Sequence, residues 1–198
     1  MTVHANKQAR IYVQTPYANN PENAIVKKIY AAKDILALKQ VIRDENVGKI
    51  IVHPAFVYGT SGRPSLNVNA YDKYNKSITA LFKEKADSKN TLVIYQNEAD
   101  YICVNRMFTR FDATIDPQYW IIHGQGSLNG DGNDYPEAIV RAMANGSSSF
   151  VIGGLYLNAC IKNYAIPSLR DLLKKIGTPD FPFIINRLIT NTCEAFTH

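Results

Sequence analysis

The chain alternates short apolar, β-branched runs with longer segments in which apolar residues recur three or four positions apart. Arg10-Ile-Tyr-Val-Gln14, Lys49-Ile-Ile-Val-His53, Thr91-Leu-Val-Ile-Tyr95, Tyr119-Trp-Ile-Ile-His123, Phe150 to Tyr156 and Phe183 to Ile189 are of the first kind and predict strands. The glycines of Phe150-Val-Ile-Gly-Gly154 permit close backbone approach. A helix is predicted from Asn20-Pro21-Glu22, a cap, first-turn proline and acid, through Ile25, Val26, Ile29, Ile35, Leu36 and Leu38 to the neighbourhood of Gln40 to Asn46. Further helices are predicted over Tyr71 to Ala86, Pro136 to Asn145 and Ser168 to Ile176, the last closed by Gly177. Pro54 to Asn69 and Gly124 to Asp134 are loops by their glycine, proline and polar content, and Tyr101 to Met107 reads as another strand or a short edge element.

Strands joined through helices are the signature of βαβ crossovers. The expectation is therefore a single α/β domain over residues 1–198, with parallel strands and crossover helices. About six strands are visible, short of the eight that close a barrel, so the architecture expected is an incomplete or open TIM-barrel-like one. It would be either the N-terminal part of a larger barrel or a module completed by a partner chain.

Composition changes this picture little. The formal net charge of +5 leaves an anionic partner open but does not select one. The basic residues Lys27, Lys28, Lys33, Lys39, Arg43, Lys73, Lys76, Lys83 and Lys85 fall largely on predicted helices, whose backs normally face solvent. Cys103, Cys160 and Cys193 are widely spaced and odd in number, which favours reduced core thiols over a disulfide framework. No apolar stretch approaches the roughly 18 residues of a membrane span, and the first ten residues lack the apolar centre of a signal peptide. A cytoplasmic, nuclear or virus-associated location is expected, with no membrane partner.

Candidate chemistry gathers where polar residues follow strands. In α/β folds the ligand site lies beyond the carboxyl ends of the strands, and Gln14, His53, Gln96 or Asn97, His123, Asn158 and Asn191 all occupy such positions. For His53 a structural role is the more common alternative to ligation, and more so for His123.

Several of these segments resemble the endonuclease IV group of the xylose-isomerase-like TIM barrels. Gln14-Thr-Pro-Tyr17-Ala-Asn-Asn20 resembles that family's His-x-x-Tyr-x-x-Asn segment, with glutamine in place of the metal-binding histidine. Val52-His53-Pro54-Ala55 resembles its His-Pro-Gly motif and keeps the histidine. Gln96-Asn97-Glu98-Ala99-Asp100 stands where the family has Glu-Asn-x-Ala-Gly, so that either Gln96 replaces the bridging acid or Glu98 shifts toward it. Asn191-Thr-Cys-Glu194-Ala-Phe196 is similar to the family's Asp-Thr-Cys-His-Ala-Phe, with both metal ligands exchanged. In a rival register, Gly124-Gln-Gly-Ser127 resembles the loop after the glutamate strand and Leu157-Asn158-Ala159-Cys160 the Asp-Thr-Cys strand.

The resemblance implies a zinc cluster that cleaves phosphodiesters in damaged DNA, but neutral amides are poor substitutes for its anionic and imidazole ligands. A catalytically degenerate binding or structural assembly module is therefore the expected function, compatible with a viral origin, with no cofactor. Protein partners or self-assembly come first and nucleic acid second. The alternative within the family is a zinc-dependent apurinic/apyrimidinic endonuclease. Outside it stands a cysteine hydrolase built on Cys160, for which the spacing identifies no partner base. The loop from Gly124 to Gly132 is no phosphate-binding fingerprint and reads as a surface turn. The tyrosines, 12 in number, suit either an interface or ordinary core and rim packing.

Overall fold

The structure is a computed structural model that describes residues 17–54, 68–109, 112–113, 115–129 and 135–191. Helices α1 (Ala24–Ala31) and α2 (Ile35–Asp44) precede strand β1 (Gly48–Val52), which leads through α3 (Val68–Leu81) and a 3-10 turn (Lys85–Ser88) to β2 (Thr91–Tyr95). The chain continues through α4 (Glu98–Thr109), β3 (Tyr119–Ile122), α5 (Pro136–Asn145), β4 (Phe150–Gly154), a π-helix (Leu157–Ala165), α6 (Ile166–Lys175) and β5 (Phe183–Thr190).

The five strands form one parallel, open sheet in the order β3-β2-β1-β4-β5. The expected class is thus what the structure shows: parallel strands, crossover helices and a sheet that does not close. The strand order adds what the sequence reading lacked. Two crossovers carry the chain outward from β1 to β2 and β3, and the next one jumps back to the other flank of β1. A constant crossover hand then requires the helices to change face at the jump.

The packing bears this out. Val26 and Ile29 of α1, Leu38 and Ile42 of α2, Ile78 of α3 and Phe108 of α4 lie in one core with Ile51, Val93 and Val151 of the sheet. Val140 and Met143 of α5, Ile161 of the π-helix and Leu169 and Leu173 of α6 form a second core against Ile50, Val52, Leu92, Ile94 and Ile152. The two-residue period of the strand sends neighbours Ile50 and Ile51 to opposite cores. Each fully buried Ile or Leu contributes about 2 kcal/mol relative to exposure.

Local differences from the sequence reading have identifiable causes. The first helix is two, because Asp34 accepts the Ala37 amide (2.9 Å) and caps a new start, while Asn23 rather than Asn20 caps α1 through the Ile25 and Val26 amides (2.9 and 3.2 Å). The helix expected to run to Ala86 ends at Leu81, and Ala86 falls in the 3-10 turn. Tyr101 to Met107 is not a strand but lies inside α4, where the four-residue spacing of buried Val104 and Phe108 outweighs local β propensity. Likewise Leu157 to Cys160 does not extend a strand: β4 stops at Gly154, Tyr156 turns left-handed (φ 59°), and the π-helix begins. The expected strand Arg10 to Gln14 lies outside the described residues, as does most of the loop after Pro54.

Candidate functional site

The strand order reverses between β1 and β4, the position at which open α/β sheets usually hold ligands in a crevice beyond the carboxyl ends of the strands. His53 follows β1 there with a left-handed backbone (φ 50°) and is 1% exposed. Its Nε2–H donates to the carbonyl oxygen of His123, which follows β3, at 3.1 Å. A carbonyl only accepts, so the Nδ1 of the neutral ring carries the lone pair, and it has no hydrogen-bond partner among the described residues. Burial, the largest influence, holds the His53 ring below the ordinary histidine pKa, with the His123 ring adding to the effect and the His123 carbonyl opposing it.

His123 serves its own loop. Its Nδ1 accepts the Gln125 and Ser127 amides at 3.2 and 3.3 Å, and the loop continues to Leu128, whose amide donates to Ser168 Oγ of α6 at 2.9 Å. This folds the turn over β1. A Cβ on Gly126 would lie 2.7 Å from Val52 and 3.2 Å from Cys160. On Gly154 (φ 130°) it would lie 1.8 Å from the Val52 carbonyl oxygen, and on Gly153 2.4 Å from that of Ile189. The glycines of β4 therefore do permit the close approach expected of them, and these contacts fill part of the crevice with backbone.

The strand-end residues are brought together in part. His53 and Gln96 follow the adjacent strands β1 and β2 at the same end, with Asn97 and Glu98 next to Gln96, all three of the latter exposed. His123 joins them after β3, and buried Asn191 follows β5, its amide donating to Gly154 O (2.9 Å) and its carbonyl accepting from Leu157 (3.2 Å). Asn158 and Cys160 lie on the first turn of the π-helix, Asn158 accepting a hydrogen bond from Lys162 at 3.2 Å. Gln14 and Glu194 lie outside the described residues.

Tyr17 and Asn20 stand elsewhere. Tyr17 to Asn19 runs antiparallel along the outer edge of β5: Ile185 donates to Tyr17 O (3.0 Å), Asn19 to Phe183 O (3.3 Å) and Phe183 to Asn19 Oδ1 (2.7 Å). The Tyr17 ring stacks on Phe183 beneath the Arg170 guanidinium, and the chain heads toward the amino end of the sheet.

Chemically, the described part of the crevice offers one buried neutral imidazole and a set of amides. No three His, Cys, Asp or Glu side chains converge among the described residues, so these residues alone do not make the donor set of a zinc cluster. Burial raises the Cys160 thiol above its ordinary pKa, opposite to what a nucleophile needs. Among the described residues no helix is long and apolar enough to cross a membrane.

A second polar centre, at the amino end of the sheet, was missed. Asp87 of the 3-10 turn is buried between Lys39 (2.7 Å) and Arg43 (2.7 Å) of α2, with Lys49 of β1 nearby. The signal available was Lys49 itself, a charge inside the apolar run of a central strand. In comparisons with known proteins, no family model, curated protein or solved structure matches the chain. The geometry establishes its class, an open α/β module of parallel strands with crossover helices.

Proposed function

We propose that the chain is a binding and assembly module, a catalytically degenerate relative of the endonuclease IV group, that pairs with a second copy of itself through the β3 edge. The observation that carries this reading is the contrast between the two edges of the sheet. The β5 edge is covered by Tyr17 to Asn19, whereas β3 is the last strand on its side among the described residues. There Trp120 of β3 and Tyr101 of α4 are 53% and 47% exposed, and their rings lie 6.5 Å apart.

Edge strands are ordinarily protected by charge, proline or a bulge. Tyr119-Trp-Ile-Ile122 has neither charge nor proline, so a two-fold axis can lay it antiparallel on itself without opposing like charges. The Trp120 side chains of the two copies then lie on the same face. The family relation is supported by His53-Pro54 at the end of β1 and Gln96 at the end of the adjacent β2. Against it, β4 occupies the flank of β1 where a barrel order would place the strand ending in Gln14.

Light scattering after size exclusion tests the proposal: the native chain is expected as a dimer at micromolar concentration, and Trp120→Lys as a folded monomer. A monomeric native chain overturns it. Stoichiometric zinc by elemental analysis, with abasic-site cleavage lost in His53→Ala, would replace it with the nuclease reading.

A further inference from the structure

Lys49 is a cation placed inside a sheet. It is 4% exposed, and its Nζ makes one hydrogen bond, to the Lys89 carbonyl oxygen at 2.9 Å. An ammonium has three donors, so two are unfilled among the described residues. The nearest carboxylate cannot serve it. Asp87 Oδ1 already accepts from Nε and Nη2 of Arg43 (3.2 and 2.7 Å), and Oδ2 from Lys39 Nζ (2.7 Å) and the Glu84 amide (2.9 Å). Those four donors match the four lone-pair sites of a carboxylate.

The space beside Lys49 is a cavity of about 190 Å³ walled by α2, the start of β1 and the segment from Ala86 to Asn90. Water occupies about 30 Å³ in the liquid, so the cavity has room for a small polyatomic ion. Lys39, Arg43, Lys49 and Lys89 line it with the carboxylate of Asp87, and Glu84 reaches Arg43 (3.0 Å) and Lys39 (3.9 Å) from outside, which leaves a surplus of two positive charges. The carboxyl end of α2 also faces this region and supplies only about half a negative charge. Burial, the largest influence, pushes the pKa of the Lys49 ammonium down to about 8, with Asp87 opposing the shift and Arg43 adding to it.

We propose that this cavity at the amino end of the sheet binds a small oxyanion of the phosphate type, with the Lys49 ammonium as its buried anchor and Lys89 closing the mouth. An anion there supplies acceptors for the unfilled donors and offsets the surplus charge. The site is separate from the β3 edge and from the strand-end crevice, and the proposal stands whether or not the chain dimerises.

Titration of the native protein with inorganic phosphate at constant ionic strength, chloride as the reference, tests it by amide NMR. Saturable shifts are expected at Lys39, Asn46, Lys49, Lys89 and Asn90, with phosphate affinity at least tenfold weaker in Lys49→Met and largely kept in Lys49→Arg. Lys27→Met, on exposed α1, should bind as the native chain does. Because Lys49→Met could disturb β1, the exposed Lys89→Ala is read beside it and should weaken binding several-fold. No saturable shift in the native protein overturns the proposal. So does binding that survives both Lys49→Met and Lys89→Ala, or shifts that map to other surfaces.

Discussion

The two ends of the sheet solve opposite problems with different means. At the carboxyl end, β1 and β4 stay paired to Val52 and Gly154 and the backbone closes up by shape: Gly126 lies against Val52 and Cys160, Gly154 against the Val52 carbonyl, and the buried ring of His53 is held neutral. At the amino end the chain buries charge, setting Asp87 between Lys39 and Arg43 and leaving Lys49 beside a cavity. The fold class directs attention to the first end, yet the unmet electrostatic demand is at the second. Topology marks where backbone leaves room, while chemistry depends on which charges have been desolvated.

The largest expected effect breaks the shape-based end. Gly154→Ala places a Cβ 1.8 Å from the Val52 carbonyl oxygen at a φ of 130°, combining a backbone clash with a conformation that L side chains rarely adopt. The cost should be about 4 kcal/mol, the sum of typical strain and overpacking penalties, and urea unfolding should show it. A loss below about 1 kcal/mol would mean that β1 and β4 separate more easily at this end than their contacts imply.

Next comes the ionic end. Asp87→Ala leaves buried Lys39 with only the more distant Glu84 carboxylate, 3.9 Å away, and about 3 kcal/mol of stability should go, measured in the same way. The exposed pair Glu137 and Arg141 serves as the control, since removing it should change little. Asp87 has its pKa depressed: burial acts to raise it, but Lys39, the Glu84 amide and Arg43 together outweigh that. A depressed carboxylate contributes stability above its unfolded pKa, near 4, and loses it as pH falls through the folded value. Acid unfolding should therefore begin at this end, and the acid limb should flatten in Asp87→Ala.

How much of this could be read beforehand follows from the range of the forces involved. The β-branched runs of β1, β2, β3 and β5 declare themselves locally, and so the strand-end positions of His53, Gln96, His123 and Asn191 were legible. Tyr17 and Asn20 were not, because the place of Tyr17 depends on pairing with Ile185, more than 160 residues away, and Asn20 follows Asn19, which pairs with Phe183. The strand order was hidden as well, since the jump from β3 across to β4 is set by which face each helix covers. Asn158 and Cys160 were misread as strand because β-favouring Leu155 and Tyr156 follow β4, whereas the left-handed turn at Tyr156 ends it. The Asp87 centre joins residues from α2, β1 and the 3-10 turn, and no local spacing announces such a meeting.

The smallest expected effect concerns His53 and separates the two ends by pH. Its ring is buried and its pKa lies below the ordinary 6.5, so between the folded and unfolded values the unfolded chain binds more protons. Stability must then rise with pH through that window and be lost as pH falls through the folded value, the same sign as Asp87 but in a different range. In native protein, unfolding free energy should climb as pH rises from the folded value toward about pH 7, the upper edge being set by an unfolded histidine near 6.5. In His53→Gln the climb should shrink, whatever the substitution does to absolute stability, because it is the slope that counts bound protons. Asp87→Ala should leave this slope intact while flattening the acid limb. If His53→Gln has the native slope, the ring is already able to protonate in the folded chain, and the carboxyl end is wetter than its packing indicates.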